Sequence, residues 1–346
     1  MEPIYQFATP KSVAQLKAEL ENETTANSQN TGHGTTSCCK QVQEKSKTNI
    51  TPVLALAFLL LSSLFLSAPS WAQAVTPQAL AYKSILPAKT VPETTSKALD
   101  DIRFPESEFK RGAYLKMRTV YLQVPASRFK IKPFPANSSA ETRAELDFLL
   151  QLQQSRTAEE IARTEAMADI YFDPLNTNPS DPDYTRNINS LFYIGRDLGP
   201  WFMPEKLPVT ARVLQNVLQD ATYYFFSLKA DFNRARPYHL EPRLQPLEAP
   251  GHASYPSGHS SASHVHAYLL SHIFPAYADH FMGVASEMAF SRETRGVHYP
   301  SDSEAGKEFA RQFVEELLKN RKFRSDFEAV KAEITQVSMA NKLTRN

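Results

Sequence analysis

Cysteine is almost missing from this chain of 346 residues: there are two, Cys38 and Cys39, adjacent and near the start. Everything after residue 74 therefore folds without disulfides and without cysteine-ligated metal, and packing alone must hold it. Excess charge is missing too. A formal net charge of +1 excludes a broad basic surface for nucleic acid, although it leaves room for a local basic pocket. Long apolar runs are scarce. The one candidate, Val53 to Ala68, has an uncharged core of roughly 14 to 16 residues, short of the ~20 that a spanning helix needs. There is also no Gly-rich phosphate loop of the Walker type, no C-x-x-C pair and no internal repeat.

What surrounds the apolar run gives it a meaning. Lys45 and Lys47 precede it, and small residues, Ala72-Gln73-Ala74, follow it. That is the pattern of a secretory signal cleaved after Ala74, which places the mature chain in the periplasm or outside the cell. Residues 1–52 are polar and far longer than a normal signal start, as expected if translation begins later. Retention of the run as a membrane anchor is the alternative. From Val75 to about Pro135 the chain is rich in Pro, Lys and Thr and reads as an extended arm, with "GAYLKMRTVYLQV" as a short strand candidate.

From residue 136 the periodicity becomes helical. Ser138 with Glu141, and Thr157 with Glu160, form capping-box patterns that open two helices, the second reaching about Ile170. "YFDPLNTNPSDPDYTRN", Tyr171 to Asn187, is a proline-broken loop. Between Leu207 and Asp231 the apolar stripe of a long buried helix runs through Val213, Val217, Leu218, Ala221, Tyr224, Phe225 and Leu228. Further helices are expected at 259–274, 276–291, 302–320 and 324–338. No alternating pattern competes with them, so the fold class is all-α, a single helical-bundle domain at 136–346.

Three blocks carry chemistry. In "KADFNRARP", Lys229 and Arg236 are two helical turns apart and share a face if the helix continues, gripping one dianion; Pro237 pushes Arg236 out of the helix. In "SYPSGHS", Ser257 offers a hydroxyl, Gly258 an unobstructed backbone N–H, and His259 a titratable ring at a helix start, where free N–H groups and the helix dipole attract anions. In "SRETRGVHYPSD", Arg292 supplies a planar fork and Asp302 stands four residues after His298, a spacing that lets the carboxylate orient the ring. Taken singly, each block has a plainer reading: a basic helix end, a turn before a helix, a surface contact.

Together, Lys229 with Arg236-Pro237, Pro256-Ser257-Gly258-His259, and Ser291-Arg292 with His298 and Asp302 fill every position of a three-part signature in order and spacing. The segment resembles the phosphatidic acid phosphatase type 2 superfamily, and "SYPSGH" with the export signal resembles its bacterial class A non-specific acid phosphatases. The absence of cysteines around the blocks departs from many of them. The resemblance implies a metal-independent, cofactor-free acid phosphatase acting on small phosphate monoesters through a phosphohistidine. It implies that Lys229, Arg236, Arg292, the Ser257 hydroxyl and the Gly258 N–H hold the phosphoryl oxygens. His298 would be the nucleophile, Asp302 its orienting carboxylate, and His259 the acid that starts protonated. Neither nucleic acid nor lasting membrane insertion is expected; self-association into a homo-oligomer is left open. His264 and His266 point roughly 200° apart on a helix and read as packing or surface residues, while His252 lies near enough in sequence to touch substrate. Two alternatives stand beside this reading: a vanadium-dependent haloperoxidase, whose vanadate imitates a phosphorane, and a non-catalytic periplasmic phosphate binder.

Overall fold

In the computed structural model, which describes residues 97–343, helices form where apolar residues recur at three- and four-residue spacing. The leader and signal pattern at 1–74 lie outside the described residues, as does the start of the arm. The principal helices are α1 (Ala140–Ser155), α2 (Ala158–Ala168), α3 (Tyr184–Ser190), α4 (Pro208–Phe232), α5 (Gly258–Ile273), α6 (Ala278–Thr294), α7 (Pro300–Lys319) and α8 (Arg321–Leu343), with one extra turn at Pro237–Leu240. Among the described residues there is no strand, only an isolated bridge between Arg103 and Arg234. The class is all-α, as expected.

The helix starts show which local rules decided. Thr157 and Glu160 form the expected reciprocal box, with N–H donations of 2.7 and 3.2 Å. At α1 the cap is Ser139, one residue later than expected; its hydroxyl accepts the Thr142 N–H at 3.1 Å. Ser138 is taken instead by Asp100 of the arm, which accepts both its N–H and its hydroxyl at 2.8 Å. The proline-rich loop closes earlier than its composition suggests, because α3 begins at Tyr184.

Helix α5 is the axis of the body, packed against α4, α6 and α7, and its residues from Gly258 to Ser271 are buried with two exceptions. A buried helix rich in serine would strand hydroxyls, but Ser261, Ser263 and Ser271 each donate to the carbonyl four residues back at 2.7 Å. Small side chains on α5 also let a neighbouring helix come close. A Cβ on Gly306 of α7 would lie 2.8 Å from the Ser257 carbonyl oxygen and 2.9 Å from the Ser260 Cβ. Glycine at 306 therefore permits α7 to press against the N-terminus of α5. The Ser257 N–H donates to the Asp302 carbonyl at 2.9 Å, and the Ser260 hydroxyl to that of Ser303 at 2.6 Å.

The described part of the arm is ordered by tertiary contacts rather than by strand pairing. Gly112–Lys116, expected to begin a strand, is a 3₁₀ turn. Beyond it the chain runs along α4, where the buried Asp220 carboxylate accepts the N–H groups of Val120, Tyr121 and Leu122 at 2.5, 2.9 and 2.9 Å. Tyr114, Tyr121, Leu122, Phe129 and Ile131 are buried. Hydrogen-bond satisfaction by one side chain thus replaces a ladder.

Candidate active site

The two blocks around residues 229–236 and 298–302 meet through a loop, not through helical register. Helix α4 stops at Phe232, where Asn233 takes the left-handed conformation at φ 46° and returns its N–H to the Lys229 carbonyl at 2.9 Å. Arg234 to Arg236 then leave in extended form, so the expected shared helical face does not exist. Convergence is nonetheless achieved. Lys229, Arg236, Arg292, His252, His259 and His298 line one cavity of about 290 Å³, with Gly258 and Glu248 also on its wall.

The three buried cations of that cavity are each held by oxygen acceptors, while a fourth, Arg111, lines it from an exposed position. The Lys229 ammonium donates to the carbonyls of Ala253 and Ser254 at 2.9 and 3.0 Å. Burial, together with Arg236 and Arg292, pushes its pKa well down. Arg236 donates to the carbonyls of His252 and Val297 at 3.0 and 2.7 Å, and burial lowers it to about 10. Arg292 pairs with Glu248, which also accepts from Arg295 at 3.2 Å, while Arg292 Nε and Nη1 are buried with no partner. Burial lowers Arg292 as well, against the pull of Glu248. Three buried cations with a single half-buried counter-carboxylate form a site short of negative charge, which an anionic ligand would supply.

His298 is fixed from both sides. Its Nδ1 lies 2.9 Å from Asp302 Oδ2 and its Nε2 lies 3.1 Å from Arg236 Nη1. An arginine can only donate, so Nε2 is the acceptor and Nδ1 carries the proton donated to Asp302. The lone pair of Nε2 is therefore on the cavity side. Burial raises Asp302, but Arg234, His298 and Ser254 outweigh it and hold the carboxyl far below its ordinary range. Burial and Arg236 push His298 well down, so the ring is neutral at rest.

His259 sits across the cavity at the second position of α5. Its Nε2 lies 3.1 Å from the Ala168 carbonyl at the end of α2, and its ring packs on Tyr171 at 5.1 Å. A carbonyl can only accept, so this nitrogen bears a proton. Burial and then Arg292 lower its pKa well below 6.5. The expectation of a protonated His259 in the free chain is therefore corrected: burial and the cations Arg292, Lys229 and Arg236 all act against a charge on the ring.

Gly258 lies on the cavity wall, where a Cβ would make ordinary contacts with the Phe225 ring at 3.4 Å and Lys229 Cε at 3.9 Å. Ser257 does not line the cavity. Its hydroxyl caps α5 by accepting the Ser260 N–H at 3.4 Å, because the helix start needs an acceptor whether or not a ligand is present. His252, weighed for its proximity in sequence, is drawn in: its Nδ1 accepts from Arg236 Nη2 at 2.9 Å. His264 and His266 are buried packing residues away from this cavity. Among the described residues no group of three or more His, Cys, Asp or Glu is arranged to hold a metal ion, and no helix is long and apolar enough to cross a membrane.

Sequence reasoning missed the shell behind the dyad. Arg234, fully buried, pairs with Asp302 Oδ1 at 2.7 Å and with Glu145 of α1 at 3.0 Å. Its guanidinium lies 3.6 Å over the Tyr299 ring. The available signal was Glu145 itself, three residues after Thr142 and four before Leu149 on the buried stripe of α1.

The family model of the PAP2 superfamily matches residues 210–309, the interval that holds all three blocks, and the resemblance read from their spacing stands. A non-specific acid phosphatase of Salmonella typhi is 35% identical over 127 residues, covering 33% of this chain and 50% of that protein. The chain thus spans about half the length of that curated relative. Among solved structures, a bacterial vanadium-dependent iodoperoxidase aligns at TM-score 0.45 and 21% identity, covering 65% of this chain and 62% of its own. A bacterial vanadium-dependent chloroperoxidase aligns at TM-score 0.46 and 15% identity, covering 65% and 56%.

Proposed function

We propose that the chain is an acid phosphatase that hydrolyses phosphate monoesters through a phosphohistidine at His298. The observation that carries this is one ring with two fixed nitrogens: Nδ1 bound to Asp302, and Nε2 presenting its lone pair to a cavity walled by Lys229, Arg236 and Arg292. A bare anion-binding site has no use for an aimed lone pair.

The phosphoryl group enters the positive cavity, and its oxygens take up the free donors of Arg292 and the fork of Arg236, which releases Nε2. The lone pair attacks phosphorus, the P–N bond forms as the ester P–O bond breaks, and His259 gives its proton to the leaving oxygen. Water, with its proton taken by His259, then cleaves the P–N bond. Because the free cavity keeps His259 neutral, the proton it needs arrives with the substrate. A phosphomonoester has a second pKa near 6, so mild acid delivers the monoanion. Once bound, the proton moves to His259, whose pKa the phosphate dianion raises. An acidic optimum follows from the proton carried by the substrate, not from a protonated resting enzyme. The signal pattern at Val53 to Ala74 supports an exported protein as part of the same proposal.

The test is hydrolysis of a chromogenic phosphomonoester by the purified chain, with and without chelator, beside His298→Ala. Activity indifferent to chelator, lost in the variant, with an acid-labile phosphoenzyme in the wild type, is the expected result. A variant that stays active removes His298 as nucleophile. Halogenation with peroxide, halide and vanadate in place of phosphate release would favour the haloperoxidase reading, and phosphate binding without turnover the binding protein.

A further inference from the structure

Behind His298, away from the cavity, lies a row of charged groups closed to solvent. His298 Nδ1 meets Asp302 Oδ2; Asp302 Oδ1 meets Arg234 Nη1 at 2.7 Å; Arg234 Nη2 meets Glu145 Oε2 at 3.0 Å. Glu145 Oε1 accepts the Ser301 N–H at 2.7 Å, and the Ser301 hydroxyl accepts from Arg234 Nη1 at 2.7 Å. Arg234, Glu145 and Asp302 are each 0% exposed. Burial raises Glu145 while Arg234 and the Ser301 N–H pull it back, and geometry decides its form: both of its oxygens face N–H donors, one from an arginine, the pattern of a carboxylate rather than a carboxylic acid. Glu145 comes from α1, outside the family-matched interval, and does not line the cavity.

The charges in this row can be counted. Asp302 alone would favour positive charge on His298, but Arg234 at 2.7 Å cancels it. Glu145 offsets Arg234 in turn, so the row Glu145, Arg234, Asp302 carries −1 while His298 is neutral. The neighbouring buried carboxyl of Glu293, which accepts the Ser303 hydroxyl at 2.7 Å, is pushed well up by burial and adds no charge. When Nε2 bonds to phosphorus and Nδ1 keeps its proton, the ring becomes a cation and the buried row becomes neutral overall. We infer that Glu145 is a positioning residue of the phosphoryl-transfer step: acting through Arg234 and Asp302, it supplies the negative charge that the His298 cation neutralises. The inference rests on the phosphatase reading.

A purely structural Glu145 would affect folding, or binding and turnover together. A charge-setting Glu145 lowers turnover alone. The experiment compares the full chain, Glu145→Gln, and the double variant Glu145→Gln with Arg234→Gln, using a chromogenic phosphomonoester for kcat and KM and inorganic phosphate as a competitive inhibitor. Glu145→Gln is expected to lose roughly ten- to a hundredfold in kcat, the scale of one unit charge removed from near a developing cation. KM and phosphate inhibition should stay within about twofold. The double variant deletes the opposed charges as a unit, restores −1 to the row, and should regain most of that loss. A single variant with kcat within about threefold of wild type, a KM that rises in step with the loss, or a double variant slower than the single would each overturn the inference. Should Glu145→Gln not fold, the double variant decides alone: a kcat within about threefold of wild type supports it, and a larger loss overturns it. A wild-type chain that turns over no phosphomonoester overturns the phosphatase reading and this inference with it, whereas an active wild type with an unaltered Glu145→Gln overturns this inference only.

Discussion

Replacing Gly306 by alanine sets two known effects against each other at a position outside the cavity. Alanine is the better helix former, by roughly 0.5–1 kcal/mol in a helix interior, and on that ground alone the variant should be more stable. At this glycine, however, the added Cβ would lie 2.8 Å from the carbonyl oxygen of Ser257 and 2.9 Å from the Ser260 Cβ. One obstacle is backbone, and the other is the root of a side chain in the buried α5, so neither can swing aside. Overpacking of this kind costs about 1–3 kcal/mol, which outweighs the propensity gain. Relief by separation of α7 from α5 carries a second consequence, because α7 holds Asp302 and α5 begins at the Gly258 wall of the cavity. A displacement of about 1 Å between catalytic groups can cost on the order of a hundredfold in rate. Gly306→Ala should therefore lower the urea midpoint and reduce kcat/KM for a chromogenic phosphomonoester by at least tenfold, with circular dichroism of a folded helical protein. A variant more stable than the wild type and fully active would show that the close approach of α7 does not set the site, and the reasoning would fail.

Other perturbations test separate parts of the structure. Asp220→Ala strands three backbone N–H groups of the arm and should cost about 3 kcal/mol or more in denaturant unfolding, with faster proteolysis between residues 110 and 125; a protease pattern like that of the wild type would refute the clamp. Arg292→Lys keeps the charge but loses the planar fork with its unpaired Nε and Nη1, so inhibition by inorganic phosphate should weaken at least tenfold, and unchanged inhibition would remove Arg292 from the cradle. Burial lowers His264 and His266 to about 3 and about 4 from an ordinary 6.5. The unfolded chain therefore binds protons that the folded chain refuses, so this stabilising contribution is complete above pH 6.5 and is lost as pH falls toward 4. Each such group changes stability by up to about 1.4 kcal/mol per pH unit in that window, and His266→Phe should flatten the fall in urea-measured stability by close to one proton; an unaltered slope would refute neutral burial of His266.

What could be read from the sequence was what depends on local order. Apolar spacing located α4 to within a residue at each end, and Thr157 with Glu160 predicted a helix start that formed as drawn. Spacing also brought the eight site residues under one signature. The misreadings share a physical cause: a distant partner overrode a local preference. Ser138 had the right chemistry for a cap, but Asp100 claimed it and Ser139 served instead. The strand suggested by "GAYLKMRTVYLQV" turned as a 3₁₀ segment at its start and then found the Asp220 carboxylate rather than another strand. Lys229 and Arg236 met through the left-handed turn at Asn233, which no periodicity of charged residues reveals. The protonation of His259 was misjudged because a pKa depends on everything that faces the ring, and burial with Arg292 is a property of the folded cavity.

The same dependence explains why the cavity and the buried row behind it must be considered as one electrostatic device. On one side of His298 stand Lys229, Arg236 and Arg292, and on the other Asp302, Arg234 and Glu145. A neutral ring between them is held by Arg236 on its attacking nitrogen and by Asp302 on the other. On the proposed phosphatase reading, a bound phosphate dianion offsets most of the excess on the first side, and the cation formed on His298 by a P–N bond offsets the excess on the second. Each half is left with unbalanced charge until its own step occurs, and burial makes that imbalance costly in the resting protein. Stability should thus rise on binding the anion by more than its affinity for an exposed basic patch would give, and the rise should shrink in Arg292→Lys, where the cradle no longer matches the phosphate fork. Thermal midpoints measured across a phosphate titration of both chains test this linkage. Equal shifts in the two would mean that the anion binds elsewhere.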